Sequence, residues 1–210
     1  MKQPPPIPAK YLTRLLTLIH SGQRTILGLV GSPGSGKSTL ASALQQQLPD
    51  IAQIVPMDGF HLSNSELRRQ GLAHKKGAQD TFDSGGYVAL LERLRNSYEK
   101  QIVYAPEFMR EIEEPIANSI AILPTTRLVI TEGNYLLLSE GSWADVPRYL
   151  DESWYVDVDA ALRTDRLVER HQFFGRSHQN ALDWVAHTDE PNARLIEATK
   201  GKANLIFNWD

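Results

Sequence analysis

The segment between residues 31 and 38 reads Gly31-Ser32-Pro33-Gly34-Ser35-Gly36-Lys37-Ser38, and it matches the pattern G-x-x-x-x-G-K-[ST] at every fixed position. In this pattern, glycines let backbone N–H groups curl around an anion, and the N-terminus of the following helix adds partial positive charge. The lysine reaches the β- and γ-phosphates of a nucleotide, and the serine hydroxyl ligates Mg²⁺. The segment therefore predicts a binding loop for ATP and Mg²⁺.

The segments on either side of this loop decide whether the match is meaningful, because a Gly/Ser-rich turn can also precede a helix by chance. Residues 26–30 form a short apolar run, which is typical of a strand buried on both faces. A helix is predicted from the turn through about Leu48. A buried strand, a glycine-rich turn and a helix are the context that a phosphate-binding loop requires.

Strand-like and helix-like segments alternate along the rest of the chain. Strands are predicted at residues 51–57, 101–104, 127–131, 152–158 and 204–207, and helices at 9–21, 87–100, 160–174 and 192–200. This alternation predicts an α/β fold in three layers, with a mostly parallel sheet between two layers of helices. A length of 210 residues with 41% hydrophobic content favours one domain over residues 1–210.

Two features near the start of the chain follow from proline and glycine. Pro4, Pro5, Pro6 and Pro8 predict a stiff, extended leader outside the core. Gly22 is expected to end the first helix.

Composition narrows the classes of function. A net charge of −3 gives no sign of a surface for nucleic acid or an anionic membrane. The absence of cysteine excludes disulfides, thiolate metal sites and a cysteine nucleophile. Neither a signal peptide nor an apolar run of roughly 20 residues is found. We therefore expect a cytoplasmic protein with a small-molecule partner, and a homodimer is left open.

Two acidic residues stand at predicted strand ends, where doubly wound sheets bind their ligands. Asp58 follows the strand at 51–57 and Glu132 follows the strand at 127–131, and each precedes a glycine that leaves space beside the carboxylate. Phosphoryl transfer needs a base that orients the acceptor hydroxyl and an acid that holds Mg²⁺ or its waters. Asp58 is our candidate for the base and Glu132 for the metal. Two alternatives stay open: the roles of Asp58 and Glu132 are exchanged, or both residues only begin polar turns.

Arginines cluster on the helix predicted at residues 160–174. Arg163, Arg166 and Arg170 are spaced three and four apart and therefore share one face. Such a face can neutralise charge on a transferred phosphoryl group. Arg166 and Arg170 are the first candidates and Arg176 the third, while interleaved acids also allow a solvated face.

Four segments together resemble one superfamily of P-loop kinases. They are Gly31 to Thr39, Met57-Asp58-Gly59-Phe60-His61, Thr81-Phe82-Asp83 and Thr131-Glu132-Gly133-Asn134-Tyr135-Leu136-Leu137. The superfamily contains phosphoribulokinase, uridine kinase and bacterial type I pantothenate kinase. Within it, the chain most resembles a nucleoside/nucleotide kinase-like branch, some of whose members are named as fructose transport system kinases.

The resemblance implies that the γ-phosphoryl group of ATP moves to a hydroxyl of a sugar, a nucleoside or a pantothenate-like acceptor. It implies that Asp58 is the acceptor-side base, that Glu132 lies near Mg²⁺, and that about residues 160–190 form a lid. Residues 75–83 resemble the substrate-side loop of the branch, so acceptor contacts are expected from Asp58, His61, Phe82 and Asp83. Met109 stands where many relatives have aspartate, which argues against nucleoside recognition at that position.

Two other functions remain as alternatives at this stage. One is a nucleotide-hydrolysing switch or regulator, although no Asn-Lys-x-Asp tetrad for guanine is found. The other is an ATP-binding module without catalysis, although Lys37, Ser38, Asp58 and Glu132 are all present.

Overall fold

The structure, a computed structural model, describes residues 6–19 and 23–209. Pro4, Pro5 and Gly22 lie outside this range, so the predictions made for them are not addressed. Pro6 and Pro8 precede the first helix in a segment without regular secondary structure. Within the described residues, no helix combines the length and the apolar character that a bilayer crossing requires.

Seven strands and seven α-helices follow one another along residues 6–19 and 23–209. The strands are β1 (Thr25–Val30), β2 (Ala52–Pro56), β3 (Val103–Met109), β4 (Glu114–Ile122), β5 (Leu128–Gly133), β6 (Glu152–Asp157) and β7 (Leu205–Asn208). The helices are α1 (Ala9–Ile19), α2 (Lys37–Gln47), α3 (Asn64–Arg69), α4 (Ser84–Asn96), α5 (Ala160–Phe173), α6 (His178–Trp184) and α7 (Glu190–Glu197).

Five of the strands form one parallel sheet in the order β2-β5-β1-β6-β7. Successive side chains of a strand point to opposite faces, so each strand of this sheet contributes to two cores. Ile26 and Val30 of β1 pack into a core that includes residues of α4, whereas Leu27 and Leu29 pack into a core that includes residues of α1 and α2. The prediction of a three-layer α/β/α fold with a mostly parallel sheet is confirmed.

The strand predicted at residues 101–104 belongs to a second, smaller sheet. It becomes β3, extends to Met109, and pairs in antiparallel fashion with β4 as a separate two-stranded hairpin. β4 was not predicted, because most of its residues are at least partly exposed and form no buried apolar run. The strand predicted at residues 101–104 is therefore present from Val103 onward, but it lies outside the main sheet.

Pairing in the main sheet fixes where the site residues meet. Val30 of β1 lies beside Gly133 of β5, and Pro56 of β2 lies beside Glu132 of β5. Because the three strands are parallel, the loop after β1, the turn after β2 and the end of β5 lie at one edge of the sheet.

A buried arginine ties the start of β1 to its neighbours. Arg24 is 1% exposed, and its guanidinium donates to the carbonyls of Thr126 at 3.0 Å, Leu94 at 2.9 Å and Leu123 at 2.8 Å. These bonds satisfy carbonyl groups at the end of α4 and in the turn before β5. A side chain without donors would remove this partner from the carbonyls of Leu94 and Thr126, whereas the carbonyl of Leu123 also accepts the N–H of Thr126 at 3.0 Å.

We predict that Arg24→Met lowers the free energy of unfolding by about 3 kcal/mol, because it removes a charged donor from two buried carbonyls and one partly buried carbonyl. Urea denaturation followed by circular dichroism measures this change. Arg93→Met, on the exposed side of α4, is the matched control and should change stability by less than about 0.5 kcal/mol. Equal stability of the two variants contradicts the structural role of Arg24.

Candidate active site

The loop between β1 and α2 is shaped by two glycines in the left-handed region. Gly34 has φ of 81° and Gly36 has φ of 93°, values that other residues adopt only with strain. A Cβ atom on Gly34 would also lie 2.9 Å from the carbonyl oxygen of Arg163. Helix α2 begins directly after Gly36, without a side-chain cap and without an acidic residue in its first turn. Its N-terminal N–H groups are therefore suited to an anion.

Lys37 is folded back over this loop. Its side chain is buried, and Nζ donates to the carbonyl of Gly31 at 2.8 Å and to that of Ser32 at 3.2 Å. Burial lowers the pKa of Lys37 to about 8, against the opposing effects of Glu132 and Asp58. The lysine is thus a poorly solvated cation, and an anion in the loop would stabilise its charge.

Ser38 and Glu132 meet at the end of β5. The Ser38 hydroxyl donates to Oε1 of Glu132 at 2.8 Å. Burial and the nearby charge of Asp58 raise the pKa of Glu132, whereas Lys37 and the bond from Ser38 oppose that shift. A carboxylate and a hydroxyl are oxygen ligands of the kind that Mg²⁺ prefers, so this pair fits the predicted metal. Residues 6–19 and 23–209 contain no cluster of three His, Cys, Asp or Glu side chains that could hold a metal by itself.

Asp58 lies on the 3₁₀ turn Met57–Phe60 that follows β2. Its carboxylate is one third exposed, and Oδ2 lies 3.4 Å from Nη2 of Arg110, a residue just beyond β3. Arg110 received no role from the sequence, because the hairpin that carries it was not predicted.

The glycines that follow the two carboxylates have a different purpose from the one predicted. A Cβ atom on Gly59 would lie 2.2 Å from the carbonyl oxygen of Pro106, and one on Gly133 would lie 2.6 Å from Cβ of Met57. The positions are filled by neighbouring chain segments, so glycine permits close packing there and does not leave space for a ligand.

The predicted substrate residues separate into two groups. His61 and Phe82 pair as an isolated bridge, and their rings lie 4.0 Å apart beside Asp58 in the cleft. Asp83 instead caps α4, where its carboxylate accepts the N–H of Gly86 at 2.8 Å, and it is exposed and absent from the cleft. The predicted acceptor contact of Asp83 therefore has no support in the geometry, because its side chain serves as a helix cap.

One cleft of about 860 Å³ joins these groups. Its lining includes the predicted site residues Pro33, Gly34, Gly36, Lys37, Ser38, Thr39, Asp58, His61, Phe82, Glu132, Arg166 and Arg170. Gly31, Ser32 and Ser35 belong to the loop but do not line the cleft. Their contribution is to the shape of the loop, as in the turn closed by the Ser35 N–H and the Ser32 carbonyl at 3.1 Å.

The arginines of α5 do not act as one face. Arg163 is buried and forms an ion pair with Glu190 of α7, so its side chain holds two helices together. Arg166 and Arg170 line the cleft, and Nη1 of Arg166 lies 3.5 Å from the carbonyl of Gly34. Arg176 lies at the rim, with its guanidinium 3.8 Å from the ring centroid of Trp184. Arg163 therefore does not join Arg166 and Arg170 in the cleft, because its side chain is buried and paired with Glu190 of α7.

We predict that Lys37 makes stability depend on pH. Its folded-state pKa of about 8 lies below the value near 10.4 of an unfolded lysine, so the unfolded chain binds more protons between these values. The free energy of unfolding should therefore rise with pH in that window. From about pH 7 to pH 10, wild type should gain about 2 kcal/mol relative to Lys37→Met. Urea denaturation at several pH values measures the difference, and a constant difference contradicts the prediction.

No protein-family model matches the chain, whereas individual proteins match along most of its length. A Schizosaccharomyces pombe protein named "Putative uridine kinase C227.14" is 33% identical over 205 residues, covering 92% of this chain and 87% of that protein. The Escherichia coli "Uncharacterized protein YggC" is 34% identical, covering 95% of this chain and 84% of that protein. A crystal structure described as a "putative fructose transport system kinase" from Silicibacter sp. TM1040 has a TM-score of 0.86 at 36% identity, covering 95% of this chain and 98% of that one. The chain therefore belongs to the P-loop kinase superfamily of phosphoribulokinase, uridine kinase and type I pantothenate kinase.

Proposed function

We propose that the protein transfers the γ-phosphoryl group of ATP to a hydroxyl group of a small metabolite. The observation that carries this proposal is the position of Asp58 in the same cleft as Lys37 and the Ser38–Glu132 pair. A nucleotide-binding protein without an acceptor needs only the phosphate-binding loop and the metal. A second carboxylate opposite the loop is useful when a hydroxyl is the nucleophile.

The phosphates of ATP would bind in the loop of residues 31–39. N–H groups at the start of α2 would donate to them, and Lys37 would exchange its contacts with the carbonyls of Gly31 and Ser32 for phosphate oxygens. The charge of Lys37 is disfavoured by burial, so the anion would restore its stability. These residues would position the γ-phosphorus and offset charge that builds up during transfer.

Ser38 and Glu132 would hold Mg²⁺ together with phosphate oxygens and water. Mg²⁺ usually binds proteins through one or two side chains and keeps other ligands from substrate and solvent, which fits a site with only these two groups. When bound, Mg²⁺ would offset phosphate charge. Binding of a cation would also remove the repulsion between Glu132 and Asp58 that raises the pKa of Glu132.

Asp58 would accept a hydrogen bond from the acceptor hydroxyl and later take its proton. The bond between the acceptor oxygen and phosphorus forms while the bond to the bridging oxygen of ADP breaks, and ADP leaves with that electron pair. Holding the oxygen in line with phosphorus is the larger part of this role, because transfer depends strongly on orientation.

We further propose that about residues 160–190 act as a lid and bring Arg166 and Arg170 to the transferred group. Both line the cleft, and neither has a carboxylate within ion-pair distance among the described residues. Burial lowers the pKa of Arg170, and the like charge of Arg110 acts in the same direction. A phosphoryl group would supply the counter-charge that these guanidinium groups lack.

We predict that Asp58→Asn lowers acceptor-dependent turnover by about 10² to 10⁴, because asparagine keeps the shape but not the basicity of the carboxylate. The affinity for a non-hydrolysable ATP analogue should change little, since that ligand binds on the other side of the cleft. ADP release with and without acceptors and calorimetric titration measure the two quantities.

Asp145→Asn, at a half-exposed side chain of the 3₁₀ segment Gly141–Tyr149, is the matched control and should behave as wild type. If Asp58→Asn abolishes ATP binding, the roles of Asp58 and Glu132 are exchanged. Turnover that needs no acceptor indicates a nucleotide hydrolase and would falsify the proposed function.

We predict that Glu132→Gln raises the Mg²⁺ concentration needed for half-maximal activity by about tenfold or more, because the variant loses a charged group that orders metal ligands. Titration of activity with MgCl₂ at fixed ATP measures the change. Glu92→Gln on the exposed surface of α4 is the control. Superimposable titrations of all three proteins exclude Glu132 from the metal site.

A further inference from the structure

The part of the cleft around Asp58 has a composition that restricts the acceptor. We define the acceptor pocket as the cleft residues Asp58, His61, Lys76, Phe108, Arg110 and Glu113. The names of the relatives do not decide what binds there, since one refers to uridine and another to fructose transport. The inference below rests on the proposed function and concerns the class of acceptor.

The charges of the acceptor pocket compensate one another. Arg110 pairs with Asp58 at 3.4 Å, and Nζ of Lys76 lies 3.7 Å from Oε2 of Glu113. Lys76 also donates to Oδ1 of Asn64 at 2.7 Å and to the carbonyl of Glu113. Two cations therefore face two anions on this side of the cleft.

The phosphate side of the cleft differs. Lys37 and Arg166 line it, and neither forms an ion pair within the described residues, while Glu132 accepts a hydrogen bond from Ser38 of the loop. Arg170, which also forms no ion pair there, lies at the border of the two sides, because its charge interacts with Lys37 and also with Arg110, Asp58 and Glu113. On the proposed function, the transferred phosphoryl group would supply the counter-charge of Arg170, so these unpaired cations serve ATP.

An anionic acceptor fits this distribution poorly. A phosphate or carboxylate group in the acceptor pocket would have to draw Arg110 from Asp58 or Lys76 from Glu113, and each exchange leaves a carboxylate unpaired. It would also place a second negative group beside Asp58, where like charges repel. The favourable ion pair that is gained is therefore offset in part by the one that is lost, which is itself partly exposed to solvent.

A nucleobase fits poorly for a different reason. His61 lies against two aromatic rings, with centroid distances of 4.0 Å to Phe82 and 4.6 Å to Phe108. Nζ of Lys76 lies 5.1 Å from the centroid of Phe108, and Phe82 is only 7% exposed. The aromatic rings are occupied by one another, which leaves no open pair of faces for a base to enter.

The remaining groups are suited to hydroxyls. Asp58 accepts hydrogen bonds, whereas Arg110, Lys76 and the Asn64 amide donate them. Nδ1 of His61 lies 2.7 Å from the Asp58 carbonyl, and burial lowers the pKa of His61, which favours a neutral ring with Nδ1–H as the donor and Nε2 as an acceptor. Donors and acceptors therefore alternate within a short distance.

We infer that the acceptor is a neutral polyhydroxylated molecule, a free sugar or sugar alcohol, whose neighbouring hydroxyls bind Asp58 and Arg110. The hydroxyl on Asp58 attacks the γ-phosphorus, its proton passes to the carboxylate, and ADP leaves. The hydroxyl next to it accepts from Arg110. This arrangement lets the acceptor bind without separating Arg110 from Asp58, so binding leaves neither charge without a partner.

The test measures ADP release with matched sets of acceptors: neutral sugars and sugar alcohols, their phosphate esters, the corresponding sugar acids, and nucleosides. The neutral set should have kcat/KM at least about tenfold above each charged counterpart and above nucleosides, a difference of about 1.4 kcal/mol. The KM of the best neutral acceptor should change less than about twofold between 0.05 and 0.5 M KCl, because salt screens charged ligands and not neutral ones.

Arg110→Met provides a second measurement. It should raise the KM of the neutral acceptor about tenfold or more and leave the KM of ATP unchanged, because a charged donor to a hydroxyl is lost on the acceptor side only. Arg148→Met, at an exposed side chain of the 3₁₀ segment Gly141–Tyr149, is the matched control and should match wild type. An equal rise in both KM values removes Arg110 from the acceptor pocket and overturns the inference.

Two other outcomes separate this inference from the proposed function. A preference for phosphate esters, sugar acids or nucleosides overturns the inference and leaves a kinase. ADP release that no acceptor set increases overturns the proposed function, and the inference with it.

Discussion

The arrangement of the site depends on the parallel pairing of β5 with β1 on one side and β2 on the other. Because β5 lies between β2 and β1, Glu132 at its end lies between the loop of residues 31–38 and the turn that holds Asp58. The hydrogen bond between Ser38 and Glu132, at 2.8 Å, is a direct result of this pairing. Backbone hydrogen bonds of the sheet thus determine distances between side chains that are far apart in sequence.

The same arrangement brings charged groups together at an electrostatic cost. Burial disfavours the charged forms of both Lys37 and Glu132, lowering the pKa of the first and raising that of the second. Each group would gain stability from a ligand of the opposite charge, a phosphate for Lys37 and a cation for Glu132. The charged forms of these two side chains are thus destabilised in the empty site and stabilised when the ligands bind. Their charges are already oriented before binding, and such preorganised charges stabilise a transition state strongly.

The extent to which the sequence predicts the site follows from how local each interaction is. The loop of residues 31–38 and the buried strands were predictable, because a glycine pattern and apolar runs are properties of short segments. Arg163 was misplaced, since helical spacing gives the face of a residue but not whether another helix covers that face. Asp83 was predicted to contact the acceptor, but it caps helix α4. The sequence does not distinguish the two roles, because each needs a carboxylate after a turn. Arg110 was missed with the hairpin, whose exposed β4 has no buried apolar pattern.

The two halves of the cleft also differ in which parts of the fold build them. The phosphate side is built from the central sheet, and a change there would disturb strand pairing or the start of α2. The acceptor side takes Phe108 and Arg110 from the β3–β4 hairpin, which pairs with itself and not with the main sheet. The hairpin contacts the Asp58 turn where the carbonyl of Pro106 comes so close that residue 59 must be glycine. That contact fixes the distance from the hairpin to Asp58 but not the side chains beyond it. Side chains after β3 can therefore differ while the position of Asp58 stays the same, and on the proposed function such differences would change the accepted molecule without changing the geometry of phosphoryl transfer.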